Sequence, residues 1–211
     1  RNIRLLRLSE ARCDHDQKFV KPALGKSFDA GVTTGKDLPS ATSHLPDDLL
    51  VHVAEIVEWE VEYRCFAADQ TVRTLSPYRL GETTFTTYDD PLSSPIEEQE
   101  EAREFANSVL EAVGCPRALV LDVGKIKGRG WAVVEPNECW GAGIYGCSPS
   151  DVLDVLQSAL VPRADASEED CLWDFSTHYF HACPHMRDGG RIPERGYQKG
   201  NTRCVSIGSE E

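Results

Sequence analysis

The chain of 211 residues is long enough to bury a substantial core, since a domain of about 150 residues already hides roughly two-thirds of its unfolded surface. Its hydrophobic fraction of 40% with 27% charged residues is that of a globular protein, not of a disordered chain. Thirty-five acidic against 22 basic residues give a net charge of −13, which repels a phosphate backbone and argues against nucleic acid as a partner.

In chain order, Lys18 to Ala23 reads as a short strand ending at Pro22, followed from Leu24 to Lys36 by a Gly-, Ser- and Thr-rich loop. Asp48 to Val57 is apolar and β-branched, as a second strand requires. Glu60 to Ala67 and Thr71 to Leu75 form a hairpin around Ala68-Asp69-Gln70. A helix is predicted from Pro95 to Val113, with Ala102, Phe105, Ala106, Val109, Leu110 and Val113 on one buried stripe. Ser94 is placed to cap it, Pro95 to open it, Glu97 to complete a capping box, and Gly114 to end it. Ala118 to Val123 and Trp131 to Glu135 make a second hairpin about Lys127-Gly128-Arg129-Gly130. A last helix runs from Pro149 to Leu160 behind Ser148. Residues 165 to 211 lose all periodicity and read as a weakly ordered tail. Strands and helices without regular βαβ alternation predict an α+β fold with mostly antiparallel sheets.

Eight cysteines are scattered without a CxxC pair, and there is neither a signal-like start nor an apolar run long enough to span a membrane. A reduced, cytoplasmic setting is expected, with no membrane partner. Cys65, Cys115, Cys139 and Cys147 read as small buried apolar residues. The tail cluster His178, His181, Cys183 and His185 follows no zinc spacing. The first residue is Arg1, not Met, which suggests a fragment or a processed start.

Two polar residues interrupt the apolar arms of the second hairpin, Asp122 in ALVLDV and Glu135 in WAVVE. Glu135 and Asn137, two apart on a strand, share a face, and folding about the turn brings Asp122 opposite them. Three oxygen donors on one spot suit Mg²⁺, whereas carboxylates meant for solvent would have more polar neighbours. Lys21 precedes a loop holding Gly25, Lys26, Ser27 and Gly31, whose backbone N–H groups suit phosphates. A surface lysine beside a loop accounts for those residues equally well. The run Gly25-Lys26-Ser27 is not a P-loop, because the glycine required five positions earlier is Val20.

The order Val20-Lys21-Pro22-Ala23, Gly/Ser-rich loop, Glu55-Ile56-Val57, Glu62, Asp122 and Glu135-x-Asn137 resembles the ATP-grasp superfamily over about residues 17 to 160. The most specific part is the acidic set, with 13 residues from Asp122 to Glu135 (135 − 122) and the E-x-N that follows. The resemblance implies two subdomains, about 1–57 and 58–164, with the nucleotide between them. It implies that Lys21 contacts the phosphates of ATP and the Gly25 to Gly31 loop closes over them, with Lys26 and Ser27 helping. Ala54 to Val57, including Glu55 and Val57, would read adenine, Glu62 the ribose, and Asp122, Glu135 and Asn137 would hold one or two Mg²⁺.

Relatives often carry an arginine two residues before the metal-binding aspartate, where this chain has Val120, so Arg64 or Arg79 becomes the candidate to stabilise the transferring phosphoryl group. The family's usual N-terminal domain, which often helps bind the acceptor, is expected to be absent or lost before Arg1. The activity implied is ATP- and Mg²⁺-dependent ligation, in which a small-molecule or peptide carboxylate becomes an acylphosphate and is attacked by an amine or thiol. A non-catalytic nucleotide-binding module and a phosphotransferase are the alternatives. Trp140 or Tyr145, in the glycine-rich stretch after Asn137, could wall the acceptor; a tight turn with a core aromatic fits them as well.

Overall fold

The computed structural model describes residues 1–38, 42–162, 165–167 and 170. The predicted tail, apart from its first residues, and the His178 to His185 cluster lie outside the described residues. The fold is α+β, with two antiparallel sheets in two compact units that divide between Val57 and Glu58. No helix among the described residues is long and apolar enough to cross a membrane.

The first unit holds β1 (Ile3–Arg7), α1 (Leu8–Arg12), β2 (Lys18–Pro22), β3 (Gly31–Thr33) and β4 (Leu50–Ala54), in the sheet order β1-β4-β2-β3. Val51 and Val53 on β4 and Val20 on β2 pack with Leu8 and Ala11 of α1, Leu38 and Leu49, which makes one small core. Neither β1 nor α1 was legible in the sequence, and the predicted Leu24 to Lys36 loop contains β3, paired antiparallel to β2. The predicted strand from Asp48 to Val57 is shorter at both ends. Gly35 is required by space: a Cβ there would lie 2.2 Å from the Asp14 carbonyl oxygen.

The second unit is built on β5 (Trp59–Ala68), β6 (Thr71–Leu80), β7 (Thr83–Thr84), β8 (Ala118–Ile126) and β9 (Gly130–Asn137), in the order β7-β6-β5-β8-β9. Strand alternation sorts the side chains of β5 and β8 between two faces. Val61, Tyr63, Cys65, Ala67, Leu121 and Val123 meet Ala102, Ala106 and Leu110 of α2 (Ile96–Val113). Phe66, Ala68 and Val120 meet Val152 and Val155 of α3 (Pro149–Ser158) on the opposite face. A helix on each face explains why β5 is buried without a break from Val61 to Ala68.

Both helices differ from expectation at their ends. Pro95 occupies the capping position of α2 and, having no polar side-chain atom, makes no capping bond, while the Ser94 hydroxyl lies 2.5 Å from the Tyr63 hydroxyl, which donates to Glu98 at 2.9 Å. The predicted capping box is therefore absent. Val113, assigned to the buried stripe, faces solvent on the last turn, before Gly114 ends the helix at φ +62°. At α3, Ser148 pairs with Ser150 rather than capping, and the helix stops at Ser158, leaving Leu160 beyond it and exposed.

Candidate functional site

The β8–β9 hairpin turns through Gly128 (φ +70°) and Gly130 (φ +89°), so its register is set by a turn that glycine makes easily. That register pairs Asp122 with Glu135 and Val120 with Asn137. It shifts between Asp122 and Val123, whose partner is Val133, so a bulge at Val134 lies beside the acidic pair. The three predicted metal-binding residues come together on one face. The Asn137 Nδ2 donates to Asp122 Oδ2 at 3.0 Å and to Glu135 Oε1 at 3.2 Å.

Arg64 on β5 stands directly opposite Asp122 on β8. Its Nε donates to Asp122 Oδ1 at 2.9 Å and its Nη2 to Oδ2 at 2.7 Å, a two-pronged pairing that only a guanidinium provides. Its Nη1 donates to the Gly143 carbonyl at 3.2 Å. Burial works against the Arg64 charge, but the bonds to Asp122 overcome it and raise its pKa further. Burial raises the Asp122 carboxyl, Arg64 offsets part of that rise, and Glu135 and Glu62 add to it. Like charges facing a buried carboxylate are the electrostatic condition that a cation relieves.

Glu62 lies on the same face, two residues before Arg64. Its Oε2 accepts from the Tyr78 hydroxyl at 2.5 Å and its Oε1 from Arg79 Nη1 at 2.9 Å. Arg79 also donates from Nε to the Gly81 carbonyl at 2.8 Å. Burial pushes the Tyr78 hydroxyl far up, and the neighbouring Asp122 and Glu62 carboxylates push it the same way, so Tyr78 stays protonated and a donor.

The donor set fits Mg²⁺. Two carboxylates and an amide are hard oxygen ligands, and the Asn137 amide N–H groups bridge the two carboxylates where a cation would neutralise them; turning that amide over presents Oδ1 instead. Among the described residues no three His, Cys, Asp or Glu side chains converge to form a complete cage. Mg²⁺ suits such a partial set, because it keeps water and phosphate oxygens in its shell.

The remaining predicted contacts belong to the first unit. Lys21 on β2 pairs with His52 on β4. Gly25 adopts φ +69°, Lys26 and Ser27 are exposed, and Gly31 opens β3. Glu55 and Val57 follow the end of β4, and Glu55 Oε1 accepts from the Asn2 backbone N–H at 2.7 Å.

Two aromatic residues were not identified as part of this network from sequence. Tyr78 and Tyr145 stack with centroids 5.2 Å apart, and the Arg64 guanidinium carbon lies 5.7 and 4.8 Å from their rings. Strand alternation could have placed Tyr78, but its bulged register with β5 hides the pairing. Trp140, the other suggested wall, is 64% exposed.

The family model that matches residues 1–155 describes an ATP-grasp domain, family 2 of its clade. Among solved structures, the D-alanine–D-alanine ligase from Bacillus anthracis is 17% identical, with a TM-score of 0.48 over 74% of this chain and 60% of that one. The RimK-domain ATP-grasp protein of Sphaerobacter thermophilus is 15% identical, with a TM-score of 0.46 over 64% and 52%. The ATP-grasp ligase PsnB complexed with a minimal precursor is 17% identical, with a TM-score of 0.43 over 64% and 45%. The chain thus spans at most 60% of the length of these proteins. No curated protein matches the sequence. With the family model covering 155 of its 211 residues, the chain belongs to this family of ATP-grasp domains.

Proposed function

We propose that this chain binds ATP with Mg²⁺ and transfers the γ-phosphoryl group to a carboxylate, activating it for ligation to an amine or thiol. The observation that carries the reading is the facing pair Asp122 and Glu135, bridged by Asn137 and backed by Arg64. Asp122, Glu135 and Asn137 would hold one or two Mg²⁺, which supply charge neutralisation for the β- and γ-phosphates. Lys21, with Lys26, Ser27 and Gly31 of the loop, would take the phosphate oxygens. Glu55 and Val57 would meet the adenine through their backbone. Glu62, with its oxygens oriented by Tyr78 and Arg79, would accept from the ribose hydroxyls.

Arg64 suits the phosphoryl-stabilising role better than Arg79. It is bonded to Asp122 of the metal set, whereas Arg79 is bonded to Glu62, and no other described residue takes the second hydrogens of the Arg64 Nη1 and Nη2. In the first step a carboxylate oxygen attacks the γ-phosphorus, the bond to the β–γ bridging oxygen breaks, and ADP leaves. In the second the amine attacks the acyl carbon, loses a proton, and phosphate leaves. No protein nucleophile is needed, so the residues' work is positioning and charge stabilisation.

The test is to incubate the chain with ATP, Mg²⁺, hydroxylamine and a panel of small and peptide carboxylates. ADP formed together with an acyl-hydroxamate supports the ligase reading. ADP formed with a phosphorylated hydroxyl compound and no hydroxamate would replace it with a phosphotransferase.

A further inference from the structure

Tyr145 is one of three non-glycine residues with positive φ among those described, at +49°, and it lies in the segment that touches Arg64. The other two, Asp69 and Gln70, form the tight β5–β6 turn. A bulky residue in this region is costly, and such strain persists only where the surroundings over-determine it. Here they do. The Gly143 carbonyl accepts from Arg64 Nη1, the Gly146 N–H donates to Ser76 Oγ at 3.1 Å, and the Ser148 N–H donates to Thr74 Oγ1 at 3.0 Å. A Cβ on Gly146 would lie 2.7 Å from that same Ser76 oxygen, so the backbone is seated closely on β6.

The forced conformation sets the Tyr145 ring against Tyr78 and, edge-on at 5.0 Å, against Phe85, with the Arg64 guanidinium carbon 4.8 Å from its centroid. Among the described residues the Tyr145 hydroxyl makes no hydrogen bond, so its contribution is the ring face. Asp122 fixes one edge of the guanidinium and Gly143 one hydrogen of Nη1. The aromatic face fixes its plane.

We infer that Tyr145 is a positioning residue: its strained backbone holds the ring that orients Arg64, so that the remaining Nη1 and Nη2 hydrogens form a fixed two-pronged donor for an oxyanion. This rests on the nucleotide reading above and deepens it, since a fixed donor favours the phosphoryl group in transit over bound ATP. Tyr145 would then govern transfer and not nucleotide affinity.

The probes are Mg²⁺·ADP alone and Mg²⁺·ADP with aluminium fluoride, which mimics the transferring phosphoryl group, measured by calorimetry. Tyr145→Gly is relaxed at this φ and separates backbone comfort from the ring, while Tyr145→Phe keeps the ring. The expected result is that Tyr145→Gly binds Mg²⁺·ADP within about twofold of wild type but loses roughly tenfold of the gain brought by aluminium fluoride, and that Tyr145→Phe restores the gain. Tyr145→Gly with an undiminished gain, or an equal loss in both variants, overturns the inference. A wild-type chain that binds Mg²⁺·ADP with no gain from aluminium fluoride also overturns it, leaving the nucleotide site intact. A folded wild-type chain that binds no Mg²⁺·ADP overturns the nucleotide reading and this inference with it.

Discussion

Arg64 and Asp122 face each other across β5 and β8 with both carboxylate oxygens bonded to one guanidinium, at a position where Asp122 is 1% exposed. Such a pair contributes little net stability by itself, because two charges had to leave water, but removing one partner strands the other. Arg64→Ala is therefore expected to cost about 3–5 kcal/mol in urea unfolding, and joint replacement of both residues by leucine to cost less than the single change. A double change that costs the sum of the two singles would show that the pair is not coupled.

Glu135 stands directly opposite Asp122, and like charges so placed repel by a few tenths to about 1 kcal/mol. Glu135→Gln should leave the apo chain as stable as wild type or slightly more so, while abolishing the rise in melting temperature produced by Mg²⁺ with ATP. Loss of both the basal stability and the ligand shift would assign Glu135 to the scaffold.

Gly124 lies under the Trp59 ring, and a Cβ there would sit 2.6 Å from its Cε3 and 2.8 Å from the Val61 carbonyl oxygen. The ring can rotate, but the carbonyl belongs to the β5–β8 ladder and cannot. Gly124→Ala is expected to destabilise the chain by about 1–3 kcal/mol, read by chemical unfolding. A neutral effect would mean that β5 slides to make room.

Cys147 is packed under α3, where burial pushes its thiol from 9.0 to about 12, and Cys65 on the other face is pushed higher still, also by burial. The folded state holds these protons longer than the unfolded chain does. Their stabilising effect is therefore full below about pH 9 and is lost as the pH climbs towards 12. Stability should decline across that window, and less steeply in Cys147→Ala. Iodoacetamide at pH 8 should modify exposed Cys13 and spare Cys65 and Cys147, as peptide mass mapping would record.

Much of the second unit was legible because its elements carry a period. The α2 stripe follows from one buried face, the apolar arms of β8 and β9 made Asp122 and Glu135 stand out as charges, and β5 was readable as a strand although both of its faces are buried. The two-residue step from Glu135 to Asn137 placed both on one face, which the pairing of Asp122 with Glu135 completes. The first unit was harder. β1 turns Ile3 and Leu5 to solvent, so its apolar residues follow no alternation, and β3 has only three residues in a glycine- and threonine-rich stretch. Capping failed because Pro95, which has no polar side-chain atom, occupies the capping position, while the Ser94 hydroxyl pairs with Tyr63, which lies 31 residues away. The Arg64–Asp122 bond spans 58 residues and depends on strand order, which no local pattern encodes. Nor does any residue-level signal reveal that Tyr145 takes a left-handed backbone.

The most direct measurement is calorimetric titration of ATP into the chain with and without Mg²⁺, for wild type and for Glu135→Ala with Asn137→Ala. Tight binding that needs Mg²⁺ and collapses in the double variant is the predicted result. A folded wild-type chain that binds no ATP at about millimolar nucleotide, or binds it equally well without Mg²⁺ and in the variant, would contradict the assignment of Asp122, Glu135 and Asn137 as the metal–nucleotide site.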